Sequence, residues 1–134
     1  MRALTPANDF PNLSVYIFKL HEEIATMTAR LGDLEVLVLL ALLRLRDEAY
    51  GVAIQREIAD RTGQDVSFGS VYTALGRLEE KGLVTGKLGD PSPVRGGRRK
   101  KFFRVQAAGK QVLRESLRAI HAMSRGLGLA WSAG

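Results

Sequence analysis

Three features of this 134-residue chain predict a mainly α-helical fold carrying one small pair of strands. The first is a stretch of helical periodicity from Ser67 to Gly82, with a capping residue at its start and a glycine at its end. The second is a pair of short β-prone segments after it, Leu83-Val84-Thr85 and Lys101 to Val105, joined by a loop too long for a tight turn. The third is charge. Seven basic residues gather between Lys87 and Arg104 against Asp90 alone, a surplus equal to the whole net charge of +6. A capped helix feeding a two-stranded basic wing is the plan of a winged helix-turn-helix, here followed by a C-terminal helix with an apolar stripe.

Residues 1–30 form an N-terminal extension in this reading. Leu13, Ile17, Leu20, Ile24, Met27 and Leu31 step by fours and threes, which is one apolar stripe on a helix, and Pro11 is tolerated in its first turn. Lys19, His21, Glu22 and Glu23 interrupt any apolar core of a secretory signal. Two readings stand: a helix that docks on the body or on a partner, or a leader ahead of a true start at Met27.

Residues 31–106 are the expected winged domain. Leu34 to Leu45 is apolar almost all round, with Glu35 and Arg44 its only charges; it is too short to span a bilayer and reads as a buried helix. Arg46-Asp47-Glu48 breaks it. Gly51 to Asp60 is the second helix, with Val52, Ile54 and Ile58 offered to the core and Gln55, Arg56 and Glu57 turned outward. Thr62-Gly63-Gln64-Asp65 is a turn. Ser67 then caps the third helix, and Val66 and Val71 are placed to close as a hydrophobic staple. Val71, Leu75 and Leu78 mark its inner face. Gly69, Ser70, Thr73 and Arg77 are left on or near the opposite face.

Residues 107–134 are expected to be a dimerisation helix and a frayed tail. The helical pattern runs from Ala107 to Arg125, and Leu113, Leu117, Ile120 and Leu127 mark one face at coiled-coil-like intervals. About two heptads are too few for a free coiled coil. Such a stripe packs on the body or on another copy.

A cationic protrusion on a neutral body is an electrostatic footprint for a polyanion. Arg95, Arg98, Arg99, Lys100 and Lys101 suit phosphate contacts, although alternation along a strand aims only some of them at one nucleic-acid strand. The third helix must enter a major groove by its N-terminal half. There Ser67 opens a helix whose free N–H groups favour anions, Gly69 permits close approach, and Ser70 and Thr73 can bond phosphate or base edges. Arg77 is placed either to read guanine or to pair with a neighbour such as Glu80.

The segments LGDLEVLVLLALL (Leu31 to Leu43), AYGVAI (Ala49 to Ile54), GSVYTALGRLEEKGLV (Gly69 to Val84) and GGRRKKFFRV (Gly96 to Val105) resemble the PadR family of transcriptional regulators. The likeness runs in unbroken order from Leu31 to about Leu113. It implies a winged-helix repressor that dimerises through its C-terminal helix, binds double-stranded DNA at an inverted repeat and lets go on sensing a signal, for which a small-molecule effector is one candidate. It also implies that Tyr72 matches the family tyrosine whose hydroxyl lies against the DNA backbone; the plainer reading of Tyr72 is a half-buried core aromatic. Three departures stand out. Gln106-Ala107 replaces the usual Thr-Pro at the start of the last helix, Gly76 lies inside the third helix, and the first 30 residues have no counterpart.

Other classes find little support. The chain has no cysteine, which removes disulfides and thiol chemistry and fits a cytoplasmic location. His21 and His121 lack metal-ligand spacing, and no nucleophile or phosphate-loop motif is present. We therefore expect no enzyme activity, no metal, no cofactor and no membrane association. The alternative function is a winged-helix module whose basic wing grips an acidic protein instead of DNA.

Overall fold

The computed structural model describes residues 13–28, 30–90 and 99–129. The chain divides into two units, Met1–Arg30 and Leu31–Gly134. In the first, helix α1 spans Leu13–Thr28, and its stripe residues Leu13, Ile17 and Leu20 are exposed.

The second unit is the mainly α fold with its two-stranded sheet. Its order is α2 (Asp33–Leu45), a 3-10 turn (Arg46–Glu48), α3 (Gly51–Thr62), α4 (Phe68–Glu80), β1 (Val84–Leu88), β2 (Lys101–Val105) and α5 (Ala107–Ser124). The strands pair antiparallel, Val84 opposite Val105 and Leu88 opposite Lys101. Tyr50 adds a single bridge to Phe102, and the Phe103 N–H donates to the Ala49 carbonyl at 2.8 Å. The chain between α2 and α3 is thereby tied to the root of the wing.

The helix ends follow local chemistry. Gly63 closes α3 with φ 71°, its N–H donating to the Ala59 carbonyl. At the end of α4, the Leu83 N–H reaches the Leu78 carbonyl and the Gly82 N–H reaches Glu79, with Gly82 at φ 74°. This is a Schellman motif, in which a left-handed residue that favours glycine lets the chain reverse. Its hydrophobic pair, Leu78 and Leu83, is buried.

One core joins α2, α3, α4, both strands and α5. Val38, Leu39, Ala41 and Leu42 enter from α2, Ile54 and Ile58 from α3, and Val71, Ala74, Leu75 and Leu78 from α4. Val84, Phe103 and Leu113 close the far side.

Four expectations need correction. Val52 is 42% exposed, because Gly51 rather than Val52 shares the inner face of α3 with Ile54 and Ile58. Gln55 is half-buried rather than exposed, its side-chain amide donating to the Val66 carbonyl at 2.8 Å. The first strand is Val84–Leu88, since Leu83 is spent on the turn that ends α4. The apolar stripe of the last helix also divides. Leu113 is 3% exposed inside the core, so it is not available to another copy, and Leu127 lies beyond the helix end, near Gly126 and Gly128 with φ of 79° and 69°.

Candidate nucleic-acid interface

The third helix of the winged domain, α4, is set by its cap. The Ser67 hydroxyl oxygen accepts from the Ser70 N–H at 3.1 Å, and the two hydroxyls are 2.8 Å apart. One turn on, the Thr73 hydroxyl donates to the Gly69 carbonyl at 2.9 Å. Ser67, Gly69, Ser70, Thr73 and Arg77 are all exposed, on the face opposite Val71, Leu75 and Leu78. Arg77 makes no ion pair or side-chain hydrogen bond among the described residues, so it is not held by Glu80. A groove of about 630 Å³ runs between this face and the start of α2, with Asp33, Ser70, Thr73 and Arg77 on its walls.

Tyr72 is 40% exposed and leans on Phe68, ring centres 4.6 Å apart at a tilt of 59°. Its other edge lies flush on Gly51 at the start of α3. A Cβ at position 51 would stand 2.8 to 3.0 Å from the Tyr72 ring and hydroxyl. Tyr72 is therefore a half-exposed aromatic seated on a glycine, a contact that sequence periodicity does not reveal.

At the other end of α4, the Glu35 carboxylate joins the start of α2 to the end of α4. It accepts from the Gly32 N–H at 3.1 Å and from Lys81 Nζ at 2.7 Å. Glu35 is 7% exposed, the one charged residue in the core among those described. The start of α2 is thereby fastened to the residue that ends α4.

The wing sorts its charges by strand alternation. Val84, Gly86, Lys101, Phe103 and Val105 share the face turned toward the core, and Lys101 Nζ reaches the Glu79 oxygens at 3.0 and 3.3 Å. The opposite face carries Lys87, Phe102 and Arg104. There Phe102 meets the Tyr50 ring edge-on at 5.7 Å, and Arg104 pairs with Asp47 at 3.0 Å. Lys100 lies over the Tyr50 ring, 4.2 Å from its centre. Lys87 and Arg99 have no side-chain partner among the described residues. Arg95 and Arg98 lie outside the described residues. A count of charge along the sequence thus overstates what the wing has free, because Lys101 and Arg104 have carboxylate partners.

On α5, Leu117, Ile120 and Met123 remain exposed beyond Leu113, Ile120 by 56%. The helix begins without a side-chain cap, as the departure at Gln106-Ala107 predicts, and the Gln106 amide donates instead to the Thr85 hydroxyl at 2.9 Å. Gly109 brings this helix onto the backbone of Leu83, where a Cβ would overlap the Leu83 carbonyl oxygen. Among the described residues, no group of three or more His, Cys, Asp or Glu is placed to hold a metal, and no helix is long and apolar enough to cross a membrane.

Comparison with known proteins meets this geometry. The model of the transcriptional regulator PadR-like family matches residues 39–115. The chain is similar to the crystal structure of a PadR family transcriptional regulator from Eggerthella lenta DSM 2243, with 28% identity, a TM-score of 0.57, and coverage of 86% of this chain and 91% of that one. It is also similar to a PadR family regulator from Clostridium difficile R20291, with 27% identity, a TM-score of 0.56, and coverage of 69% and 95%. An uncharacterized protein of Lysinibacillus sphaericus is 34% identical over 86 residues, which are 63% of this chain and 74% of the relative.

Proposed function

The chain belongs to the PadR-like family of transcriptional regulators, and from that premise we propose that it is a cytoplasmic, dimeric repressor of an inverted-repeat operator, released by a small-molecule signal. The observation that carries the reading is the outer face of α4. A capped helix exposes Gly69, Ser70, Thr73 and Arg77 together, beside a basic wing. Such a helix enters the major groove by its N-terminal half, where side chains meet base edges. Ser70 and Thr73 lie on the first turns and serve as base or phosphate contacts, and Arg77 reaches a guanine or a phosphate one turn deeper. Tyr72, braced between Phe68 and Gly51, sets its hydroxyl toward the DNA backbone.

The wing supplies the sequence-independent share. Arg95, Arg98, Arg99 and Lys100 neutralise phosphates and release counterions, which makes affinity fall with salt. Two copies joined through the exposed part of α5 present two recognition helices to half-sites about 10 base pairs apart, centre to centre.

Selection from a pool of randomised duplexes by the wild-type chain tests the reading. The recovered site is expected to be an inverted repeat with that spacing. Thr73→Ala is expected to relax its preference by about 1–3 kcal/mol for each base edge it no longer meets. A pool that yields no enriched duplex, together with a nuclease-resistant stoichiometric protein partner, would mean that the basic wing serves an acidic protein instead.

A further inference from the structure

We infer that Glu79, acting through Lys101, is a positioning residue that fixes the wing against the recognition helix, and that Gly86 is there to let Lys101 pass. The inference rests on the DNA-binding reading above and deepens it, because it concerns how the two DNA-facing parts are held in register.

The geometry converges on one side chain. Lys101 opens β2 on the face turned toward the core, and its Nζ reaches both carboxylate oxygens of Glu79, at 3.0 and 3.3 Å. Glu79 stands in the last turn of α4, the same helix that carries Ser70, Thr73 and Arg77 on its outer face. To get there, the Lys101 stem crosses β1 over Gly86. A Cβ at Gly86 would overlap Lys101 Cε and stand 3.1 Å from Nζ and 3.2 Å from a Glu79 oxygen. Nothing in the turn chemistry of β1 asks for a glycine, since Gly86 has no positive φ. A glycine here leaves the lysine stem its direct path to Glu79, which a Cβ would make the flexible end of Lys101 bend around. Nζ also lies 5.3 Å from the centre of the buried Phe103 ring, a second contact that holds the stem in this path.

Two features separate this pair from an ordinary surface ion pair. It joins two elements that must address one DNA duplex together, the helix in the groove and the strand leading to the basic loop. It also removes Lys101 from the set of phosphate ligands, since the ammonium is shared between two carboxylate oxygens. The side chains are about a third exposed, 39% for Lys101 and 33% for Glu79, and pairs so placed add little to folding stability. A large effect on DNA binding would therefore not be a disguised folding effect.

Plain electrostatics and positioning predict opposite signs. Glu79→Gln removes a negative charge near the wing, which by charge alone tightens binding to any DNA. If Glu79 positions the wing, E79Q instead weakens binding to a duplex selected by the wild-type chain, by roughly threefold to tenfold, while binding to a scrambled duplex holds or tightens. Gly86→Ala carries no charge change, and since the flexible end of Lys101 can bend around the methyl, it is expected to give a smaller loss of the same selective kind. The double exchange Glu79→Lys with Lys101→Glu restores the pair at constant net charge and is expected to recover selective binding that neither single exchange retains.

The strap is also read without DNA. The carbon-bound Lys101 Hε protons, assigned in the NMR spectrum by their loss in Lys101→Arg, are expected to be ring-shifted by Phe103 in the wild-type chain and to move toward the free-lysine position in E79Q. Tighter binding of E79Q to both duplexes, with G86A unaffected, would make Glu79 a mere surface acid and overturn the inference. Failure to select any duplex would count against the function instead. The Lys101 Hε shift would then decide the strap alone: displaced in the wild type and relaxed in E79Q upholds it, a free-lysine shift in the wild type overturns it.

Discussion

Glu35 and Lys81, 46 residues apart in sequence, meet at 2.7 Å beneath the end of α4. The two partners are not equally buried: the carboxylate side chain is 8% exposed and the ammonium side chain 19%. That difference sets the outcome of cutting the pair from either side. Lys81→Met leaves Glu35 charged in a nearly closed site and is expected to cost about 3 kcal/mol, the lower end for an orphaned buried charge. Glu35→Gln still accepts from the Gly32 N–H and leaves a lysine that can turn to water, so its cost should be clearly smaller. Urea unfolding of both variants checks the order, and equal losses would contradict it.

Gly51 and Tyr72 make a second pair with a sign to predict. Alanine gains up to about 1 kcal/mol over glycine in a helix interior, and somewhat less at Gly51, the first residue of α3. Here its Cβ meets the tyrosine ring, and overpacking costs about 1–3 kcal/mol. With Tyr72 in place, Gly51→Ala is expected to destabilise. In a Tyr72→Ala background the same change is expected to stabilise. The double-mutant cycle measures the reversal, and the same sign in both backgrounds would show that the ring yields freely.

Salt dependence separates wing cations that neutralise phosphates from Lys101, which Glu79 holds. If a dimer makes roughly six to eight phosphate contacts, log K against log[salt] should slope about −5 to −7. Changing Arg98 and Arg99 to Ala should weaken binding to all sequences alike and flatten the slope by about 1 for each phosphate that is no longer neutralised. Lys101→Met should leave the slope nearly unchanged while lowering affinity for the selected duplex. Fluorescence anisotropy titrations across a salt series give both quantities.

In the proposed dimer the two copies meet through the exposed remainder of the last helix, Leu117 and Ile120. Leu117 and Ile120 replaced by Glu are expected to give a monomer, because apolar surface that two copies share becomes charged. Operator binding should fall by at least tenfold as the second recognition helix is lost. Sedimentation velocity reads the first effect and anisotropy the second; a stable dimer with full affinity would locate the interface elsewhere.

Much of this architecture is legible in the chain because it rests on local chemistry. The cap at Ser67, the left-handed glycines at 63 and 82 and the inner face Val71, Leu75 and Leu78 each depend on neighbours a few residues away. What escapes reading joins residues far apart: Glu35 to Lys81, Gly51 to Tyr72, Gln55 to the Val66 carbonyl, and Gly109 to Leu83. Periodicity tells which side of a helix is apolar but not what covers it. Leu113 and Leu117 therefore look alike in sequence, yet one is core and the other surface. Charge counting fails at the wing for a related reason, since only strand register reveals that Lys101 faces inward toward Glu79.

The seat of Gly109 on the Leu83 backbone makes α5 a lever without a cushion. Leu83 is hydrogen-bonded on one side to the Leu78 carbonyl, in the last turns of α4, and on the other to the Gln106 N–H, where α5 starts. No side chain at 109 stands between α5 and the Leu83 peptide to absorb a displacement. Under the proposed DNA-binding role, a tilt of α5 would press directly on the Leu83 peptide at the end of α4. In a two-fold pair, changing the angle between the C-terminal helices changes the spread of the two reading heads, so a ligand wedged between those helices would act on DNA without touching it.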